Sequence, residues 1–182
     1  MKLETGRLIL RPLKNSDVGA IVKNISNINV SKWLLVVPHP YTEKDALWWI
    51  NKTLKDWGEK DLTEYNFGIE LKSVGEIIGG IGLDQIDKFQ GIGSVGYWLG
   101  QEYWRKGYGS EALERVLDFA FNELKLRRVN AEIFAGNPSS GKLLEKFGAK
   151  KEGIQRRANI CKADNKVKDA FIYGLLQEEY KK

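Results

Sequence analysis

The chain has 182 residues, 42% of them apolar, with six Trp, seven Tyr, seven Phe and a formal net charge of +5. This length suits a single domain, residues 1–182. The apolar side chains are numerous enough for a core without disulfides, and the lone Cys161 cannot form an internal bridge. No stretch approaches the roughly 20 apolar residues of a membrane span, and the first ten residues do not resemble a signal peptide. We therefore expect a soluble, cytoplasmic protein without a membrane partner.

The first third of the chain is predicted to contain one strand and two helices. The pattern favours a strand over Arg7–Leu13 and a helix from Asn15 to about Asn27, followed by an irregular stretch to residue 40. Thr42 has the sequence context of a helix cap. The buried stripe of this second helix is predicted from helical spacing to be Leu47, Ile50, Leu54 and Trp57, with Gly58 after its end.

The rest of the chain alternates strands with helices. One helix is predicted from about Ser110, and another is predicted after Asn137, with Pro138 in its first turn and Gly148 at its end. This order indicates an α/β (α+β) domain. The predicted strands are Tyr65–Leu71, Glu76–Asp84, Ile92–Leu99, Val129–Phe134 and Lys168–Leu175.

The segment from Trp98 to Ser110 has the composition of a phosphate-binding turn. A strand is followed by a loop with Gly107 and Gly109 and then by a helix start, whose free N–H groups favour anions. Arg105 and Lys106 add positive charge, so the segment suits a diphosphate, although glycines at such a turn also have a packing explanation. The P-loop and dinucleotide-binding motifs are absent.

Two segments resemble the coenzyme A signatures of the GNAT acetyltransferase superfamily, namely Tyr103–Ala112 and Asn137–Gly148. Thr5–Pro12 and Asp169–Leu175 resemble the first and last strands of the RimJ/RimL branch, which acetylates the N-terminal alanine of ribosomal proteins. The resemblance covers nearly the whole chain. It implies a mixed, mostly antiparallel seven-stranded sheet that splays between its central strands, is flanked by about four helices and holds acetyl-CoA in the splay.

The resemblance also implies the cofactor contacts and part of the chemistry. Asn137 would hydrogen-bond the pantetheine arm, and Ser140 would lie near the sulfur as proton donor. The usual tyrosine acid and glutamate base are replaced by Leu144 and Ser94, so the base is left open. The alternatives are a water chain or one of the carboxylates Glu70, Glu76, Glu132 and Glu152. No metal is implied. The implied cofactor-binding residues are Trp98, Leu99, Trp104, Arg105, Lys106, Gly107, Tyr108, Gly109, Ser110, Asn137, Ser140 and Lys142.

Three aromatic residues are candidates for the acceptor groove, namely Trp33, Tyr41 and Trp49, with a core position or a dimer patch as the alternative. The sole histidine, His39, lies between prolines and is expected to be a loop residue. Cys161 has no histidine near it in sequence and is expected to be structural.

Three functions follow as hypotheses. The leading one is acetyl transfer from acetyl-CoA to a protein amino terminus by direct attack in a ternary complex, because an α-amino group, with a pKa near ~7.7–8, needs less help from a base than a lysine. The second is acetylation of a small amine such as a polyamine, an antibiotic or an amino-acid derivative. The third is a non-catalytic RNA- or ribosome-binding module, which the interspersed Lys, Arg, Asp and Glu argue against. The sequence leaves both monomer and homodimer open.

Overall fold

The computed structural model describes residues 1–59 and 61–181, and within them eight strands form one sheet. The sheet has the order β1-β2-β3-β4-β5-β6-β8-β7, and every neighbouring pair is antiparallel except β5 and β6. The predicted fold class is confirmed, with eight strands in place of seven. The strands are β1 Leu3–Glu4, β2 Leu8–Arg11, β3 Tyr65–Leu71, β4 Glu76–Asp87, β5 Ile92–Leu99, β6 Arg128–Phe134, β7 Lys150–Ile160 and β8 Val167–Leu176.

Helices cover both faces of the sheet. Helices α1 and α3 share one apolar cluster with Ile77 of β4, while α4 packs on the opposite face against Ile78 and its neighbours. No helix in the described residues is both long enough and apolar enough to cross a membrane. The helices are α1 Val18–Ile25, α2 Ile28–Ser31, α3 Glu43–Asp56, α4 Tyr108–Asp118, which continues as a π-helical turn over Phe119–Glu123, and α5 Pro138–Lys146.

The predicted buried face of α3 is correct for Ile50 and Trp57, which pack against the core, and wrong for Leu47 and Leu54. Leu47 and Leu54 are 40% and 42% exposed, and the side chains that face the core are Ala46, Ile50 and Thr53. Both sets have helical spacing, so periodicity alone does not choose between them. The predicted cap is present, because Thr42 and Asp45 form a reciprocal capping box.

Strand β7 lies at the edge of the sheet and was not predicted. Its residues are almost all exposed, so the sequence shows neither alternation nor a continuous apolar run. Its pairing with β8 is interrupted between Gln155 and Asn159, and Arg157 there has a φ of 51°. Such bulges are common on edge strands, where they hinder pairing with other chains.

An ionic cluster fastens the start of α1 to the sheet. The Arg11 guanidinium on β2 donates to both carboxylate oxygens of Asp17, at 2.8 and 2.9 Å, and to Glu70 on β3 at 2.5 Å. The three side chains are between 9% and 17% exposed. The hydrogen bonds that Arg11 donates to Asp17 raise the pKa of Arg11, so its guanidinium keeps its positive charge.

Strands β5 and β6 pair over three residues and then diverge. Their parallel ladder runs from Ile92↔Arg128 to Ser94↔Asn130. Beyond it β5 stays paired with β4, and β6 stays paired with β8. The facing edges therefore keep backbone N–H and C=O groups without a strand partner, and a cleft forms between them.

Candidate functional site

A cavity of about 600 Å³ fills the cleft between the diverging strands. One wall is β5 from Val95 to Leu99, and the other is β6 from Ala131 to Ile133. The loop before α4, the first turn of α5 and the segment after α2 close the remaining sides. This volume suits a small-molecule ligand. The lining side chains used below are Trp33, Leu35, Tyr97, Trp98, Trp104, Arg105, Asn137 and Ser140, and the lining glycines are Gly107 and Gly109.

The first turn of α4 offers backbone donors to this cavity. Gly107 caps the helix with a φ of 82°, a conformation that suits glycine, and no side chain caps the helix start. The first intrahelical bond there is donated by the N–H of Glu111, so the preceding N–H groups remain available to an anion. Gly109 and Ser110 both line the cavity.

Arg7 braces the loop before α4 from outside the cavity. Its Nη1 donates to the carbonyl of Lys106 at 3.0 Å, and its guanidinium lies 4.6 Å from the centre of the Tyr108 ring. Glu111 accepts from the backbone and Nε of Arg7, at 2.7 and 2.6 Å, and from the Thr5 hydroxyl at 2.5 Å. Although burial opposes the shift, these bonds lower the pKa of Glu111. The first loop of the chain thus holds the glycine loop in place.

The Ser140 hydroxyl at the start of α5 lies beside the cavity, and the Tyr97 hydroxyl reaches the same helical turn from β5. Asn137 caps the helix and donates from Nδ2 to Ser140 Oγ at 3.0 Å, which leaves the hydroxyl hydrogen of Ser140 free to point elsewhere. Tyr97 reaches across from β5 and donates to the Ser140 carbonyl at 3.1 Å. Burial raises the pKa of Tyr97, so its phenol keeps its proton.

A second cavity, of about 550 Å³, adjoins the first through the cleft. Trp33, Leu35 and Glu132 line both cavities. The second cavity extends to β4 on one side and to Ile172 of β8 on the other. Two ligands, one bound in each cavity, would therefore be adjacent between β5 and β6. Group transfer requires such an arrangement.

Asp84 is the half-buried carboxylate of the second cavity. It lies on β4 directly opposite Ser94, at the last regular pair before a bulge in which Gln85 has a φ of 49°. Its carboxylate has no hydrogen-bond partner among the residues described. Burial raises its pKa, Glu64 adds to the shift and Lys52 opposes it.

The other charged groups of this cavity are already engaged. Glu132 is exposed and accepts from the side-chain amide of Asn159. Arg128 forms an ion pair with Glu152. Asp84 is therefore the carboxylate most available to a ligand.

Most cofactor residues predicted from the sequence lie at the first cavity, but three lie outside its lining. These are Lys106, Tyr108 and Lys142. Lys142 is exposed and its amino group has no partner among the described residues, whereas Lys146 reaches the Ser110 hydroxyl.

Of the three aromatic residues predicted for the acceptor groove, Trp33 lines both cavities. Tyr41 and Trp49 pack instead into the apolar cluster under α1 and α3. His39 is exposed and lies outside both cavities, and Cys161 is buried.

Sequence analysis gave no functional role to Tyr97 and did not consider Asp84 as a base. Tyr97 belongs to a strand predicted as a whole, and nothing in its neighbours indicated that its side chain points into the cleft. Asp84 lies at the end of the predicted strand Glu76–Asp84, where no sequence motif marks it as a functional residue. Its position opposite Ser94 depends on strand register, which the sequence does not display.

A sheet that opens between two parallel strands, with an uncapped helix start beside the opening, is the arrangement that the resemblance to coenzyme A acyltransferases implies. The profile of the acetyltransferase (GNAT) domain matches residues 7–150, and the chain belongs to this family. It is 32% identical over 180 residues to the uncharacterized N-acetyltransferase p20 of Bacillus licheniformis, covering 98% of this chain and 97% of p20. It is 29% identical over 177 residues to the putative ribosomal N-acetyltransferase YdaF of Bacillus subtilis, covering 95% and 93%.

The fold agrees with this assignment. A crystal structure of a GNAT-family acetyltransferase from Bacillus anthracis superimposes with a TM-score of 0.82 at 26% identity, covering 98% of this chain and 100% of that one. The chain is therefore an acetyl-CoA-dependent N-acetyltransferase, which favours the enzyme hypotheses over a non-catalytic RNA-binding module. The described residues contain no group of His, Cys, Asp and Glu able to hold a metal ion.

Proposed function

We propose that this enzyme acetylates the α-amino group of a polypeptide, with acetyl-CoA in the first cavity and the acceptor terminus in the second. The observation that carries the proposal is the junction of the two cavities together with Asp84, which lines the second cavity and whose carboxylate has no hydrogen-bond partner in the described part of the chain. Neither cavity is lined by histidine, so the available bases are weak. Weak bases suit an α-amino acceptor, with a pKa near ~7.7–8, better than a lysine or polyamine near ~10.4.

The first cavity fits the chemistry of coenzyme A. Backbone groups of Trp98 and Leu99 at the free edge of β5 would pair with the pantetheine arm. The loop from Arg105 to Gly109, together with the first N–H groups of α4, would hold the diphosphate. Asn137 and Ser140 would lie at the pantetheine and sulfur end, because they cap the helix on the opposite wall.

In the proposed mechanism, Asp84 acts as the general base. It accepts a proton from the incoming ammonium, directly or through water, and the neutral amine attacks the thioester carbonyl. Backbone N–H groups of the free β5 edge stabilise the developing oxyanion. As the C–S bond breaks, Ser140 donates its hydroxyl proton to the departing sulfur and takes in exchange the proton that the attacking nitrogen loses. Tyr97 holds the Ser140 carbonyl, and so orients the first turn of α5.

The acceptor class is tested by a competition among amines. Peptides with free N-terminal Ala or Ser, the same peptides with a blocked terminus and an internal lysine, and spermidine are each offered with acetyl-CoA while thiol release is measured. We expect the free-terminus peptides to have the highest kcat/KM. A preference for spermidine or the lysine would overturn the α-amino proposal.

A double glycine variant tests the proposed diphosphate site in a binding experiment. The double substitution Gly107→Asp and Gly109→Asp places two carboxylates at the proposed diphosphate position, and we expect acetyl-CoA binding to disappear in calorimetry. The matched control is Gly19→Asp, because Gly19 is exposed and a Cβ there would meet nothing within 4 Å. If the double variant still binds acetyl-CoA, the proposed diphosphate site is wrong.

The brace formed by Arg7 leads to a prediction about cofactor affinity. We expect Arg7→Met to raise the KM for acetyl-CoA about three- to tenfold with little change in kcat, since the lost contacts are exposed but orient the diphosphate loop. S-acetylpantetheine lacks the diphosphate, so its KM is expected to stay constant. Arg115→Met is the control, because Arg115 pairs with Glu123 at 2.8 Å along the same helix. An equal rise in KM for acetyl-CoA and S-acetylpantetheine would show that Arg7 stabilises the fold as a whole and does not act through the diphosphate loop.

A further inference from the structure

The positive charge of this protein is concentrated on one structural element. Seven Lys or Arg and two Asp or Glu lie between residues 150 and 168, whereas the formal net charge of the whole chain is only +5. These residues form β7, the turn after it and the first residues of β8, here named the basic arm. The expectation that basic and acidic residues are interspersed throughout the chain is therefore wrong for this segment.

Four cationic groups of the basic arm have no partner. Arg156, Arg157, Lys162 and Lys166 are exposed, and none of their side chains makes a hydrogen bond, an ion pair or a ring contact within the described residues. The remaining cations of the arm are engaged. Lys150 pairs with Glu179, Lys168 pairs with Asp164, and Lys151 lies over the Phe171 ring.

The basic arm is fastened to the rim of the second cavity. The N–H of Lys162 donates to the carbonyl of Leu35 at 3.2 Å, and Lys168 Nζ donates to the carbonyl of Lys32 at 2.6 Å. Asn159 donates to Glu132. Leu35 and Glu132 line both cavities, so the arm borders their junction, where the acceptor terminus is proposed to meet the thioester.

The two arginines of the arm project from a bulge. Arg156 and Arg157 lie between the paired positions Gln155↔Ala170 and Asn159↔Lys168, and the N–H of Arg157 donates to the Asp169 carboxylate at 2.7 Å. Charge and a bulge also protect an edge strand from pairing. Protection, however, requires no particular sign of charge, and the four unpartnered groups here are all positive.

We infer that the basic arm binds acidic side chains that follow the amino terminus of the acceptor polypeptide. This inference rests on the proposed function. Four strand spacings, roughly 19 Å, separate β7 from β4, the strand of Asp84. An extended peptide covers that distance in about six residues, and the length of the arginine and glutamate side chains shortens the reach that the backbone needs. Acidic residues at about positions 3 to 6 of the acceptor would therefore reach the arm while the terminus lies beside Asp84. The same charge disfavours a polyamine.

The test uses three peptides with the same N-terminal residue and length, carrying Glu, Gln or Lys at positions 3 to 6. At low salt we expect kcat/KM to be about tenfold higher for the Glu peptide than for the Gln peptide, mainly through KM, and lowest for the Lys peptide. Added salt is expected to reduce these differences. The double variants Arg156→Gln/Arg157→Gln and Lys162→Gln/Lys166→Gln should lose the discrimination and keep the KM for acetyl-CoA. Lys44→Gln/Lys55→Gln on α3 removes the same charge elsewhere and should keep it.

The outcomes separate the two proposals. Equal acetylation of the Glu and Gln peptides by the wild-type enzyme would overturn the inference and leave the α-amino acceptor intact. Bound acetyl-CoA without acetylation of any of the three peptides would refute the proposed function itself. If the arm variants lose binding of an RNA oligonucleotide while peptide discrimination is unchanged, the arm is a nucleic-acid surface and the inference is wrong.

Discussion

Asp84→Asn is expected to lower kcat by about 10²- to 10³-fold, the range typical of a lost general base. Asparagine preserves the size of the side chain but does not accept the proton of the acceptor ammonium. The variant then depends on amine that is already neutral. We expect the rising limb of its kcat-against-pH profile to move upward, toward the pKa of the α-amino group.

Asp84→Asn should lower activity without lowering the stability of the fold. The folded protein raises the pKa of Asp84 above its ordinary value, through burial and the nearby Glu64. A raised pKa means that the folded state favours the protonated form, so this contribution to stability is present at acid pH and is lost as pH rises through the folded pKa. At pH 7 the ionised carboxylate is unfavourable. Asp84→Asn should therefore unfold at the same or a higher urea concentration.

Two variants complete this test. Asp87 lies on the same strand but lines neither cavity, and its carboxylate accepts the N–H of Gln90 at a turn, so Asp87→Asn should keep full activity. Glu132→Gln removes the other carboxylate of the acceptor cavity and should cost much less than Asp84→Asn. A larger loss for Glu132→Gln would assign the base to Glu132, and full activity in Asp84→Asn would remove Asp84 from the mechanism.

Arg11→Met is expected to destabilise the fold by about 3 kcal/mol, the lower end of the range for breaking a buried ion pair. The substitution leaves the carboxylates of Asp17 and Glu70 in a largely buried site without their cation. The loss should appear as a lower urea midpoint followed by tryptophan fluorescence.

Two comparisons show whether this cost arises from burial of the charges. Arg128 also pairs with a carboxylate, Glu152, but that pair is more exposed. Arg128→Met should cost only about 0–1 kcal/mol. The triple variant Arg11→Met, Asp17→Asn, Glu70→Met removes the stranded charges and should recover part of the stability. If the single and triple variants are equally unstable, unpaired charge is not the cause.

The sequence by itself determined the elements whose signals are local. The strand bounds Tyr65–Leu71 and Ile92–Leu99, the cap at Thr42 and the start of α5 after Asn137 were all predictable, because propensity, capping and turn chemistry act over a few residues. The glycine loop before α4 was identified for the same reason, since its residues are contiguous.

The tertiary structure decided whatever depends on phase, register or edges. Helical spacing fits Leu47 and Leu54 as well as Ala46 and Thr53, and only packing against α1 and the sheet selected the second pair. Strand β7 is exposed on both faces, so it has no hydrophobic pattern and is held by its hydrogen bonds to β8. The acceptor side is assembled from β4, β5, β6, β8 and the segment after α2. Asp84 faces Ser94 there because the consecutive strands β4 and β5 pair with a bulge between Asp84 and Asp87, and the sequence does not display the bulge that shifts this register.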